Sequence, residues 1–450
     1  ARGELRRAAA AARFVACSCR AAYSSGMSDY LTLRRQRAAR AWRDADLGED
    51  IVLLGAGEPI AIPGGADQQF PFHTHPEYYW LTESDCAGAV LAYDPAEGWT
   101  HFVPRVTDAE RVWEGRAQTP GEPLENLSAW LAARRGRRWV MLGCAPPGAP
   151  QDADRLKTLR DALSHARRAK DAHELERMRR AVVATAAGFR VAAEMIRPGA
   201  TERGIRIEIE AEFARNGGDG TAYGTIVGVG TNAAVLHFSP GPRAVRPGDL
   251  VLIDAGAEVQ RYAADVTRTF VAGAPSAEQK ALYELVLQVE QNGIGRCVAG
   301  AEWRDVHLAA AREIALGLAD FGLLRGGADG LVEQDAHALF FPHGLGHMVG
   351  LGVRDASGFL PGRTRSTRPG LANLRMDLPL EAGYVVTVEP GIYFIAALLD
   401  HPDSRAKHRD SVNWELADRL RDFGGIRIED NVLVTAEGPE VLTAAIPKTL

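Results

Sequence analysis

The 450-residue sequence is poor in cysteine, with five residues at Cys17, Cys19, Cys86, Cys144 and Cys297, an odd number containing no CxxC pair. That scarcity excludes a disulfide framework and a cysteine-built zinc knuckle, and it fits a reducing compartment. Long apolar runs are absent too: none approaches the roughly 20 residues needed to span a bilayer. Nor is there an excess of positive charge, since 52 Lys and Arg face 58 Asp and Glu, so neither a membrane nor nucleic acid is an expected partner. No short-period repeat is present. What remains is the composition of a globular protein long enough to bury two cores.

Residues 1–26, ARGELRRAAAAARFVACSCRAAYSSG, are rich in Arg, Ala and Ser with Glu4 as their single acid. Two readings stand side by side: an organellar transit segment, or a translated leader ahead of Met27. The expected location is the cytoplasm, or a mitochondrion or other organelle if the stretch is a transit signal. From residue 27 to 165 the chain alternates β-type runs (DIVLLGAG, EYYWLT, GAVLAYDPAEG, THFVPR, RRWVMLGC) with turns and a helical stretch at 120–135, which predicts a mixed α/β domain. The Pro- and Gly-rich APPGAPQDA at 145–153 reads as a loop of changeover.

The remainder, 166–450, predicts a second domain of α+β class. Its first helix starts where Asp171 and Glu174 have capping-box spacing, carries Leu175, Met178, Val182 and Phe189 on one face, and stops at Arg197, Pro198 and Gly199. Ser276 and Gln279 open a second helix in the same way, and AEWRDVHLAAAREIALGLADFG is a third. Between them GTIVGVG, LVLIDAG, DVTRTFV, YVVTVEPGIYF and GIRIEDNVLVT read as strands. The helices are grouped against strands without regular βαβ alternation.

Four acids lie inside or at the end of those strands: Asp254 in VLIDAG, Asp265 in AADVTRTF, Glu389 in VVTVEPG and Glu429 in GIRIEDN. A single strand acid commonly faces water or pairs with an arginine such as Arg268 or Arg427. Four in one domain ask for a shared cation, because an isolated carboxylate in an apolar interior neutralises instead. The run FPHGLGHMVGLGVR at 341–354 adds two histidines. It is not a zincin helix, because Gly344, Leu345 and Gly346 stand where a metalloprotease glutamate would be and two glycines weaken a helix by about 1 kcal/mol each. It also lacks a phosphate-loop frame, so a loop or strand is expected. Four carboxylates with an imidazole favour Mn, Co, Mg or Zn, and they exceed the needs of one tetrahedral ion, which suggests two metals.

With these residues assembled, the second half resembles the pita-bread metallopeptidases, most closely the Xaa-Pro dipeptidases (prolidases). The likeness is strongest in LIDAGAEVQRYAADVTRTF, PHGLGHMVGLGV, VVTVEPGIYF and GGIRIEDNVLV, and extends to an amino-terminal domain like that of aminopeptidase P and prolidase in DQQFPFHTHPEYYWLTE and HFVPRVTDAERVWEG. It implies a pita-bread fold, two divalent ions with Mn first and Co or Zn as alternatives, and Asp254, Asp265, His347, Glu389 and Glu429 as ligands, with Asp265 and Glu429 bridging. It also implies a metal-bridging hydroxide as nucleophile, Glu389 as general base, and His237 and His343 as substrate-side histidines.

A homodimer mediated by the amino-terminal domain is a further expectation from the same likeness. A dipeptidase must bind a free carboxylate after proline, and the stretch RPGLANLRMDLPLEAGY resembles the prolidase loop whose arginine does so, here Arg375. Arg427 is a second arginine for substrate, or a structural partner of a ligand carboxylate. One departure stands out: relatives carry V-H-D seven residues after the metal histidine, whereas here it is Val353, Arg354, Asp355, so Arg354 would hold an oxygen without shuttling a proton. The alternatives are an Xaa-Pro aminopeptidase acting on longer peptides, and a non-catalytic pita-bread binding module.

Overall fold

A computed structural model describes residues 28–143 and 152–450. The expected leader at 1–26 and most of the expected loop at 145–153 lie outside the described residues. The amino-terminal part is a mixed sheet of five strands, β1 (Ile51–Gly55), β2 (Val90–Asp94), β3 (Gly98–Val103), β4 (Glu122–Pro123) and β5 (Trp139–Leu142), in the order β4-β3-β2-β1-β5. Only β1 with β5 and β3 with β4 run parallel. Helices Asp29–Asp44 and Ala153–Arg168 cover one face and bury Trp42, Leu159 and Leu163.

One expectation is corrected here. EYYWLT is not a strand but belongs to helix Pro76–Thr82. Pro76 opens it with a preset φ, Glu83 closes it in the left-handed region, and Tyr78, Tyr79, Trp80 and Leu81 are all buried. Aromatic side chains favour strands only where they can pack on a pleated face, and here burial on every side of one short helix outweighs that preference. The stretch 120–135 is helical only from Leu124 to Ala132, behind the two residues of β4.

The second part is two helix-backed sheets facing each other. The first contains β7 (Ile226–Val229), β8 (Leu250–Ala255) and β11 (Val266–Val271), in the order β11-β8-β7. Helices Ala172–Met195 and Glu202–Arg215 back it, through Phe189, Ile209 and Phe213 against Val227, Val251 and Ile253. A small sheet of β6 (Gly220–Thr221), β9 (Ala257–Val259) and β10 (Tyr262–Ala263) continues it. The second half-sheet comprises β12 (Val385–Val388), β15 (Asp430–Val434) and β16 (Pro439–Val441), beside the pair β13 (Gly391–Tyr393) and β14 (Gly425–Arg427). Helices Ala277–Gly295 and Trp303–Asp320 back this half, with Leu282, Trp303 and Ile314 in the core that holds Val386 and Val432. Both predicted capping boxes, Asp171 with Glu174 and Ser276 with Gln279, form with both reciprocal bonds.

The two halves meet at the bridge between Thr267 and Glu429, which brings together Asp254 in β8, Asp265 just before β11 and Glu429 just before β15. The amino-terminal part is attached by an apolar seam including Trp80, Tyr262 and Val349, and by buried ion pairs. Arg34 lies 2.6 Å from Asp171, while Arg167 and Lys170 both pair with Asp355.

Candidate metal centre

The HGLGH run is a loop, one of the two forms expected, and lies against β12. Thr387 donates its N–H to His347 O at 2.8 Å, Glu389 donates its N–H to Leu345 O at 2.8 Å, and His347 N–H reaches Thr387 Oγ1 at 3.0 Å. Glycine is required at 346, because a Cβ there would sit 2.0 Å from Thr387 O. A second close approach occurs at Gly256, where a Cβ would sit 1.9 Å from Ala264 O, next to Asp254 and Asp265. Both glycines let strands that carry acids or the histidine lie closer than a side chain would permit.

Asp265, His347 and Glu429 are buried, and one ligand-type atom from each lies within 4.8 Å of the others. His347 Nε2 is 3.4 Å from Asp265 Oδ2 and 3.8 Å from Glu389 Oε1. The other ring nitrogen, Nδ1, is 3.0 Å from Met348 O, which fixes its proton there and leaves the Nε2 lone pair aimed at the carboxylates. Asp254 stands beside this group with both oxygens engaged: Tyr223 donates to Oδ1 at 2.6 Å and Arg427 to Oδ2 at 2.6 Å.

Burial and mutual repulsion dominate the electrostatics of the group. Burial pushes the Glu429 carboxyl far up, and the fields of Asp265, Glu389 and Asp254 add to it. Glu389 is pushed up to about 7 by burial, against the opposing pull of His347 and Arg427. Asp254 is raised as well, by burial and then Asp265, although Arg427 opposes. Crowded carboxylates that resist ionisation, with an imidazole lone pair among them, are a donor set that divalent cations fit. Asp265, His347, Glu429, Glu389 and Asp254 would hold them.

Supporting side chains that the sequence did not flag surround these residues. Thr267 donates to Glu429 Oε2 at 2.7 Å and accepts from Arg427 Nε at 3.0 Å. The Asn431 amide clasps the Asp265 backbone, donating to its carbonyl at 2.6 Å and accepting its N–H at 3.0 Å. Nothing in a local pattern of Thr, Asn or Tyr singles such residues out, because their partners are more than 150 residues away for Thr267 and Asn431.

The centre opens into a cavity of about 670 Å³ whose wall includes all ten positions at issue: His237, His343, Arg354, Arg375 and Arg427 join the four acids and His347 on it. His237 is exposed there, with its imidazole pushed down by burial and by Arg354 and Arg427. His343 is held more firmly. Arg427 Nη1 donates to the Tyr393 hydroxyl at 2.9 Å, so that hydroxyl donates its own proton to His343 Nε2 at 2.9 Å, while Nδ1 bonds Gly344 O. Burial, and then Arg427, push His343 down to about 3. Arg427 is buried with its guanidinium divided among Asp254, Tyr393 and Thr267, which is the arrangement of the structural-partner alternative. Arg354 and Arg375 are exposed residues on the same wall.

Residues 176–436 match the model of metallopeptidase family M24. The human Xaa-Pro dipeptidase is 31% identical over 434 residues, covering 88% of this chain and 87% of that protein. A probable Xaa-Pro aminopeptidase of Botryotinia fuckeliana is 30% identical over 422 residues, covering 88% of this chain and 90% of that one. Among solved structures, Pseudomonas aeruginosa aminopeptidase PepP superposes with a TM-score of 0.74 at 29% identity, covering 92% of this chain and 96% of its own. These likenesses bear out the α+β pita-bread fold expected from the sequence. The chain belongs to metallopeptidase family M24.

Proposed function

We propose that this metallopeptidase hydrolyses the peptide bond ahead of proline in Xaa-Pro dipeptides, using two divalent ions, Mn first and Co or Zn as alternatives. The observation that carries the reading is the buried cluster of Asp265, His347 and Glu429, flanked by Glu389 and Asp254, at the base of an open cavity. Ions bound there would lower the pKa of a shared water and polarise the scissile carbonyl. The protein's own groups do the rest. Glu389, with its carboxylate beside the cluster and on the cavity wall, takes and returns the proton. His237, exposed on the same wall, meets the developing oxyanion, and His343, locked by Tyr393 and Gly344, shapes the wall beside it. Arg427 fixes Asp254, and Arg375 takes the free carboxylate after proline.

A second reading, an Xaa-Pro aminopeptidase acting on longer peptides, is favoured by the aminopeptidase names of the similar solved structures and by the open cavity. The non-catalytic module has no such support, since ligand-type side chains are assembled here. We place the protein as a homodimer in the cytoplasm, or in an organelle if residues 1–26 act as a transit signal, with 27–165 and 166–450 as its two domains. The experiment is a panel of Xaa-Pro and Xaa-Pro-Yaa peptides with Mn, before and after chelation. Hydrolysis that is lost on chelation and regained with Mn or Co is expected. Full activity without metal would sink the metallopeptidase mechanism, and a clear preference for the tripeptides would move the assignment to the aminopeptidase.

A further inference from the structure

A second set of charges is buried beside the metal centre but off its cavity wall: Arg268, Asp430 and Glu290, with the largely buried Lys448. The period of two along a strand separates the two sets. Thr267 bonds the Glu429 carboxylate and Thr269 donates to Arg427 O, so Arg268 between them points to the opposite face. There it meets Asp430, the neighbour of Glu429.

All five N–H donors of Arg268 have partners. Nη1 donates to Glu429 O at 2.7 Å and to Thr267 O at 2.9 Å, Nη2 to Asp430 Oδ1 at 2.8 Å and Ile446 O at 2.9 Å, and Nε to Pro447 O at 3.0 Å. One guanidinium thus ties the backbone of Glu429 to the segment 443–448. That segment is held in turn. Thr443 donates to Asp430 Oδ1 at 2.7 Å and accepts Asn431 N–H at 3.0 Å, while Lys448 reaches the two Glu290 oxygens at 2.7 and 2.9 Å and pairs with Asp430. Glu290 comes from helix Ala277–Gly295, and its carboxyl is pushed up to about 8 by burial and by Asp430, with Lys448 opposing both.

We infer that Arg268 and Lys448 are positioning residues for the metal centre: through Asp430 and the Glu429 carbonyl they fix the ligand strand from its far face, so that Glu429 keeps its carboxylate against Asp265 and His347. The inference rests on the reading of that cluster as a metal site, and not on the choice of substrate. The same stretch continues to Asn431, whose amide clasps the Asp265 backbone, so a shift of residues 429–431 moves two ligand residues together. Groups that orient metal ligands in this way typically matter by about 10–100-fold in metal affinity. Lysine cannot stand in for Arg268, because three donors on a flexible stem do not meet carbonyls in five fixed directions. Arginine can stand in for Lys448, whose partners are carboxyl groups and whose side chain is 20% exposed.

The test reads metal affinity rather than hydrolysis. Mn is titrated into the chelated full chain in competition with a chelator of known affinity, for the parent, Arg268→Lys, Lys448→Met, Lys448→Arg and Arg34→Met, with circular dichroism to check folding. Arg34→Met is the control, because it breaks a buried ion pair with Asp171 in the amino-terminal part. Arg268→Lys should weaken Mn binding by about tenfold or more, Lys448→Met should weaken it severalfold, and Lys448→Arg should regain most of that loss. Arg34→Met should lower the melting midpoint yet leave Mn affinity within about twofold of the parent. If Arg268→Lys does not fold, the pair of Lys448 variants carries the test. Folded Arg268→Lys and Lys448→Met proteins that bind Mn as the parent does, or a loss in Arg34→Met as large as theirs, overturn the positioning role. A parent that takes up no Mn overturns the metal reading with it, whereas Mn uptake without hydrolysis of glycyl-proline counts against the substrate reading alone.

Discussion

Arg427 Nη2 sits 2.6 Å from Asp254 Oδ2, across a gap of 173 residues in the chain, and both groups are buried. The pair joins β14 to β8 inside the cleft between the half-sheets. Removing one member leaves a buried charge without its partner, which typically costs about 3–5 kcal/mol. Arg427→Met should therefore lower the thermal unfolding midpoint of the chelated protein sharply. The double variant Arg427→Met with Asp254→Asn should regain part of the loss, and scanning calorimetry of the three proteins checks it. Equal destabilisation by the single and double variants would show that the pair is not what joins these strands.

Metal content should divide the ligands into two grades. The parent should hold about two ions per chain. Asp265→Asn or Glu429→Gln should reduce that to below about one, because these residues sit at the centre of the close cluster with His347. Asp254→Asn should retain about one, since Asp254 lies at the edge and is shared with Tyr223 and Arg427. Elemental analysis after dialysis measures this directly.

Gly346→Ala should separate the histidine segment from β12. The added methyl would stand 2.0 Å from Thr387 O, so the bonds between the His347 and Thr387 segments must stretch. A loss of about 1–3 kcal/mol in stability is expected from overpacking, with weakened metal retention alongside. Gly295→Ala, where a Cβ meets nothing within 4 Å, is the control and should leave metal content unchanged.

Acid should destabilise the fold before its carboxylates titrate fully. His307 and His337 are both buried, and each is pushed by burial from an ordinary 6.5 to about 4. His307 uses both nitrogens, accepting Leu345 N–H at 3.2 Å and donating to Gly370 O at 2.7 Å, a pattern only the neutral ring can make. A depressed pKa in the folded state means the contribution is complete above about 6.5 and is lost as the pH falls toward about 4, at up to about 3 kcal/mol for each ring. Melting midpoints recorded between those limits should fall, and His307→Gln should flatten the fall. A midpoint independent of pH in that range would contradict it.

Much of the centre was legible because its residues are chemically out of place. Acids inside apolar strands at 254, 265, 389 and 429 are conspicuous in any window, and capping boxes at Asp171 and Ser276 are complete within four residues. The helix at 76–82 was not legible, because its aromatic residues carry strand preference and the burial that overrides it comes from elements distant in sequence. Tyr393, Thr267 and Asn431 were invisible for a related reason: a hydroxyl or an amide becomes significant only through the partner it meets.

By itself, then, the sequence marked four carboxylates and a histidine as a set suited to cations, since the cost of burying unpaired charge is a property of the residues alone. Only the tertiary structure decided how they are shared. It set His347 against Asp265 and Glu429, gave Asp254 to Arg427 and Tyr223, locked His343 through Tyr393, and brought Arg354 and Arg375 to the wall of the same cavity. Those assignments depend on distances between strands and loops far apart in the chain, and such distances are fixed only when the two half-sheets close on each other.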